Sequence, residues 1–239
     1  MNSRVIFSIF KSQFLGSLRS KESVFFSIFL PPLLFIIFGL AFNVDKEYAK
    51  FFLPGMIGSI FVSDALYAVG PVIKNYYTLQ IIRYFRGYPI NIAWIFINFI
   101  FVRLIFVFFS SMILIAISYF LFNFMPDIIV FIRYVIGILI GFIIYSFIAL
   151  TISFYGIEDN KDQGILSILY FLSIFLSDSF FVLSKVNVFF DYIGYIFPLK
   201  VILQYMRGDI FSLIYSFLWV IFSFLLFYNR VNKIELKRL

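Results

Sequence analysis

The sequence predicts an all-α integral membrane fold: six transmembrane helices, an amphipathic interfacial helix before them, and a re-entrant outer segment ahead of the last. Three observations predict it. Hydrophobic residues fill 63% of the 239 positions and charged residues 13%, with a mean hydropathy of +1.05; soluble domains carry roughly 45–50% and about 25%. Apolar runs close to the ~20 residues that a span requires recur along the chain. The separators between them are short and polar. A water-soluble domain of this length could not hide so much apolar surface, so lipid is the solvent.

The elements follow in order. Residues 1–22 form the interfacial helix. Ile6, Phe10, Phe14 and Leu18 recur at helical spacing, while Arg4, Ser8, Lys11 and Arg19 fall on another face, the pattern of a helix lying in the headgroup plane. A secretory signal would place its apolar run earlier and keep it shorter. The membrane domain, 23–239, then has spans over 23–42, 51–73, 104–124, 134–154, 164–182 and 210–228. Pro31-Pro32 removes two backbone donors from the first span and predicts a kink there. The second span opens with Leu53-Pro54-Gly55, adds Gly58, and carries Gly70-Pro71 near its end. Small residues permit close helix approach, which places this span at the centre of the molecule.

With both termini inside, 13 Lys and Arg residues lie on the inner side and six on the outer, together the 19 of the chain. The positive-inside rule therefore makes both ends cytoplasmic. The net charge of +7 serves topology and anionic headgroups, and no nucleic-acid partner is needed.

Cysteine and histidine are absent, which removes thiolate nucleophiles, imidazole bases and most transition-metal sites, and excludes a rhomboid-type serine protease. There is no phosphate-binding G-x-x-x-x-G-K-[ST] loop and no dinucleotide fingerprint. No catalytic, cofactor or metal residue is assigned. Glu158, Asp159 and Asp162, with Asn160 and Lys161 among them, read as a solvated turn. Asp64 is the one acid in the core of a span. Lipid would not tolerate it, so it faces protein or water, as a pathway or subunit-interface residue with Gly55 and Gly58, or in a local polar pair or as an N–H acceptor near Ser59 and Ser63. Arg103 reads as an anchor that snorkels to the inner surface.

The outer segment, 177–209, is too polar to span and too apolar for a wet loop. Phe180, Phe181, Phe189, Phe190 and Tyr192 mark it as a partly embedded lid, an arrangement tolerated only if protein buries its free backbone groups; a plain aromatic belt is the simpler reading. The inner segment, 74–90, carries Lys74, Arg83 and Arg86 among aromatics, which the positive-inside rule alone could explain.

The order of these features resembles the ATP-binding cassette type-2 exporter permeases. An amphipathic helix leads into a first span with Pro31-Pro32 and Phe38-Gly39. Phe52-Leu53-Pro54-Gly55 is similar to the family's proline-glycine start of span two. Thr78-Leu79-Gln80-Ile81-Ile82-Arg83, followed by Pro89, looks like its inner coupling segment. Leu176-Ser177-Asp178-Ser179-Phe180-Phe181 resembles the end of span five, with Asp178 where the family has glycine. Phe197-Pro198-Leu199 and Met206-Arg207-Gly208-Asp209 resemble the approach to span six. Tyr77 replaces a small or acidic residue, and Pro89 comes a few residues late. The resemblance covers nearly the whole chain. It implies a permease in the plasma membrane, without enzymatic activity or cofactor of its own, paired as a homodimer or heterodimer and driven by separate cytoplasmic ATPase subunits. It further implies that Thr78, Gln80, Arg83 and Arg86 present a docking surface to the ATPase. The alternative is an ion-coupled secondary transporter or channel without an ATPase partner. Such a carrier would line its pathway with ionisable groups and often show inverted repeats.

Overall fold

A computed structural model of the chain describes residues 3–19, 25–41, 45–79, 92–155 and 162–236. Among the described residues the fold is all helical, with no strand. Helix α1 is Ser3–Arg19. Helix α2 begins as a π-turn, Phe25–Phe29, and continues as Leu30–Ala41. The expected disturbance at Pro31-Pro32 thus takes the form of a widened turn just before the prolines, where carbonyls have lost their i+4 donors. Helix α3 runs unbroken through Lys46–Asp64, a second π-turn Ala65–Val69, and Gly70–Thr78. Asp45 caps its start by accepting from Tyr48 N at 2.8 Å, which satisfies an otherwise orphaned donor.

Helices α4 (Ile92–Phe122) and α5 (Ile128–Tyr155) are long and almost wholly apolar. Helix α6 is Asp162–Phe175, then come two short pieces, α7 (Leu183–Val186) and α8 (Val188–Gly194). Helix α9, Pro198–Arg207, starts on proline and stops at Gly208, whose φ of +124° lies in the left-handed region that glycine accepts. Helix α10, Ser212–Leu236, closes the described chain.

Among the described residues, four helices are long and apolar enough to cross a membrane: Lys46–Tyr76, Phe96–Phe122, Ile128–Tyr155 and Ser212–Arg230. They match the second, third, fourth and sixth expected spans and extend three of them at the start. The first expected span is represented by α2. The fifth is shorter than expected. At ~1.5 Å per residue, the 14 residues of α6 reach about 21 Å, short of the ~30 Å hydrocarbon core. The helix ends because its last i−4 bond is Leu176 N to Leu172 O, after which Asp178 takes φ +59° and no α-helix can continue.

Helix α3 is the centre of the bundle, as its small residues predict. It packs against α2, α4, α5, α6 and α9, and 67% of its apolar window is buried, against 17% for α10. Helix α10 touches mainly α5 and α9 and shows the remaining sides outward. Around α3 the core is aromatic and aliphatic. Phe35 of α2 stacks on Phe52 at 5.3 Å and meets Phe122 of α4 edge-on at 5.5 Å. Helix α1 lies against α4, with Phe10 on Phe101 and Phe14 on Phe106.

Candidate functional site

The chemistry of this chain lies in buried charges that tie helices together at three levels of the bundle. In the body of α3, Asp64 is 3% exposed and Arg103 of α4 equally so. The guanidinium engages the carboxylate with both arms: Nε donates to Oδ2 at 2.9 Å and an Nη donates to Oδ1. Two-point pairing of this kind fixes orientation as well as charge. The Phe106 ring lies against the same guanidinium, 5.4 Å away, and Phe14 of α1 packs on that ring at 5.5 Å. Arg103 is therefore not the snorkelling anchor expected of it; an acid on the facing helix turns it inward. Ser59 and Ser63 do not serve Asp64, since their hydroxyls donate to Met56 O and Ile60 O. The π-turn of α3 begins at the next residue.

At the Thr78 end of α3, Lys74 Nζ donates to Asp162 Oδ1 at 2.8 Å, with side chains 4% and 7% exposed. This corrects the reading of Asp162 as part of a solvated turn. The acid opens α6, where the helix dipole favours it, and a lysine 88 positions earlier closes over it. Glu158 and Asp159 lie outside the described residues. At the same end, Arg230 of α10 donates to Phe154 O at 3.1 Å and covers the Tyr155 ring at 3.9 Å.

At the Asp45 end, the outer segment is held by two cations. Lys200 of α9 is fully buried, bonds Asp191 Oδ1 at 2.5 Å and its carbonyl at 2.8 Å, lies 3.5 Å from Asp178 Oδ2, and sits over Tyr195. Arg207 donates to the carbonyls of Phe51 (3.0 Å) and Asp178 (2.6 Å) and stacks on the Phe51 ring at 3.8 Å. Asp178 Oδ1 accepts from Leu183 N at 2.7 Å, which starts α7. Aspartate tolerates the left-handed region better than most residues, and this accounts for Asp178 at a position where the resembled family has glycine.

The residues singled out from sequence fall as follows. Gly55 is a close-approach position: a Cβ there would lie 2.0 Å from Ser179 O. Gly58 faces Leu199 of α9, with a virtual Cβ 2.9 Å from its Cδ1. Both glycines, like Asp64, face the interior of this chain. Thr78 is exposed and donates to Asn75 O at 3.3 Å, whereas Gln80, Arg83 and Arg86 lie outside the described residues. Of the aromatic set, Phe180 packs inward on Phe38, Phe52 and Phe175, and its carbonyl accepts from the Tyr48 hydroxyl. Phe181, Phe189, Phe190 and Tyr192 point away from the chain. Sequence reasoning missed Arg103, Lys74, Asp162, Lys200 and Arg207 as partners. One signal was available: consecutive antiparallel spans each carrying a lone charge of opposite sign.

Among the described residues no group of acids suits a metal ion. The family model for the ABC-2 type transporter matches residues 4–211. No curated protein matches the chain.

Proposed function

The chain belongs to the ABC-2 type transporter family, and from that membership we propose that it is the permease of an ATP-driven exporter, working as a dimer with separate cytoplasmic ATPase subunits. Membership makes it a multi-pass membrane protein and the membrane component of an ABC-type transporter. The observation that carries the finer reading is the extent of the match, residues 4–211, which takes in the inner stretch 74–90 and the whole outer segment.

In this reading the chain crosses the plasma membrane six times, with α2 and α6 as the two shorter crossings and both ends in the cytoplasm. The turn after Phe175 and the helices α7 to α9 complete the fifth crossing from the outer side. Their exposed aromatics, Phe181, Phe189, Phe190 and Tyr192, form the lid over the exit. Gly55, Gly58 and Asp64 are occupied within the chain, so a second subunit would meet the bundle through faces other than the one these residues form. Stretch 74–90, with Thr78, Gln80, Arg83 and Arg86, receives the ATPase. The pairing of Asp64 with Arg103 weighs against an ion-coupled carrier, because the acid such a carrier would use is already neutralised.

Purification in mild detergent tests this directly: an ATPase subunit with nucleotide-binding loops accompanies the wild-type chain. The double variant R83E/R86E inserts normally but loses that subunit, or keeps it with hydrolysis uncoupled from transport. A double variant that inserts, keeps its ATPase and transports at the wild-type rate refutes the docking assignment.

A further inference from the structure

Helix α6 is lightly packed. Of its 14 residues, Asp162, Leu166, Ser173 and Ile174 are buried, while Ile165, Ile168, Phe171, Leu172 and Phe175 are exposed. It touches α3 along Lys46–Asp64 and at the π-turn, and α5 and α9 besides. At the far end, Ser173 and Ile174 are buried. At the near end the hold is Asp162 on Lys74. Between them, Tyr170 meets Tyr67 of α3, ring centroids 5.6 Å apart. Both Lys74 and Tyr67 therefore link α6 to the part of α3 that runs from its π-turn to Thr78.

That part of α3 has its own seat. A Cβ on Gly70 would lie 2.8 Å from Ala149 O and 2.7 Å from Ser153 Oγ of α5, so the backbones are in direct contact. One turn further on, Lys74 reaches across to Asp162. A buried ion pair is weak evidence for stability, because apolar residues of the same size often do as well. What it supplies is geometry: a charge-assisted bond at 2.8 Å that holds one helix end to another at a fixed distance.

We propose that the Lys74–Asp162 pair is the tie by which the end of α3 moves α6, so that the connections after Thr78 and before Asp162 act on the bundle as one unit. The proposal rests on the reading that the ATPase acts on stretch 74–90. It makes α6 the driven element and Lys74 and Asp162 positioning residues for its movement.

The natural absence of cysteine makes the test direct. Spin labels go on Asn75→Cys and Gln163→Cys, both exposed beside the pair, with a second pair on Gln163→Cys and Tyr155→Cys. Distances are measured by pulsed electron spin resonance in nanodiscs, on the chain with its copurified ATPase, before and after MgATP with vanadate. The wild type gives a narrow 75–163 distance that nucleotide leaves unchanged while the 155–163 distance shifts. In D162N and K74M the 75–163 distribution broadens several-fold and the nucleotide-linked shift is lost. The charge-swapped K74D/D162K restores both, which a merely space-filling role would not do. A 75–163 distance that stays narrow in both single variants, or an α6 shift as large in D162N as in wild type, overturns the tie. A narrow wild-type distance that broadens in D162N, in a chain that binds no ATPase, instead overturns the reading beneath it.

Discussion

Replacing Arg103 by leucine isolates the energetics of the ion pair within α3 and α4. The substitution leaves the Asp64 carboxylate facing a protein interior that excludes water at 3% exposure, and it removes both arms of the pairing. Breaking a buried pair from one side costs about 3–5 kcal/mol, and placing an ionisable side chain at mid-membrane costs about 2.5–3.5 kcal/mol on insertion scales. The two agree near 3 kcal/mol, roughly a hundredfold in the folding equilibrium. D64L should cost a similar amount by removing the acceptor of both guanidinium arms. The double variant D64L/R103L removes both charges together, so it should recover most of the loss and lie within about 1–2 kcal/mol of wild type, as apolar replacements of buried pairs do. The assay is reversible unfolding by dodecyl sulfate in mixed micelles, followed by circular dichroism, with the four proteins forming a double-mutant cycle. Additive losses, or single variants each within about 0.5 kcal/mol of wild type, the range of a surface change, would show that the two groups do not depend on each other.

Gly55→Ala should destabilise by about 1–3 kcal/mol, the range for overpacking, because its Cβ would sit 2.0 Å from a backbone oxygen that cannot swing aside. Gly164→Ala, in open space at the start of α6, should instead stabilise by about 0.5–1 kcal/mol, and the same micelle titration separates the two signs. At Asp178, φ +59° makes Asp178→Gly milder than Asp178→Ala by about 1 kcal/mol, the left-handed penalty. Both lose the bonds to Leu183 N and Lys200, so both should speed maleimide labelling of a cysteine at Val186, whereas equal stability of the two variants would remove the backbone argument.

Much of the architecture was legible because it rests on composition and period. The four long helices coincide with expected spans, and the centrality of α3 follows from Gly55, Gly58 and Gly70, whose missing side chains are where other elements approach. Spans were placed too short at their starts since hydropathy registers lipid, while a helix continues through the interface to its cap, as α3 does to Asp45. The π-turns left no mark in an apolar run. Helix α6 was drawn too long because residues up to Val182 remain apolar apart from two serines and Asp178, and a single left-handed aspartate outweighs that. The ion pairs were the least legible. Asp64 and Arg103 were each visible as misfits in lipid, but which charge faces which depends on helix rotation. Asp162 looked solvated because its neighbours in sequence are polar, although its partner comes from another helix.

The polar ties also differ in how long the chain must wait to make them. Asp64 and Arg103 are 39 residues apart, Lys74 and Asp162 are 88, and Phe51 and Arg207 are 156. At ~5–20 residues per second of synthesis, the first tie can form as soon as a single hairpin has entered the bilayer, before the later helices exist. The last becomes possible roughly 8–30 s after Phe51 is made. Until then the Asp45 end of α3, with Pro54 weakening its backbone, stands in the membrane without its clamp. The Asp45 end of the central helix is thus finished by a residue made 156 positions after Phe51, and a ribosome stalled before Arg207 would leave a bundle closed in its body and open at that rim.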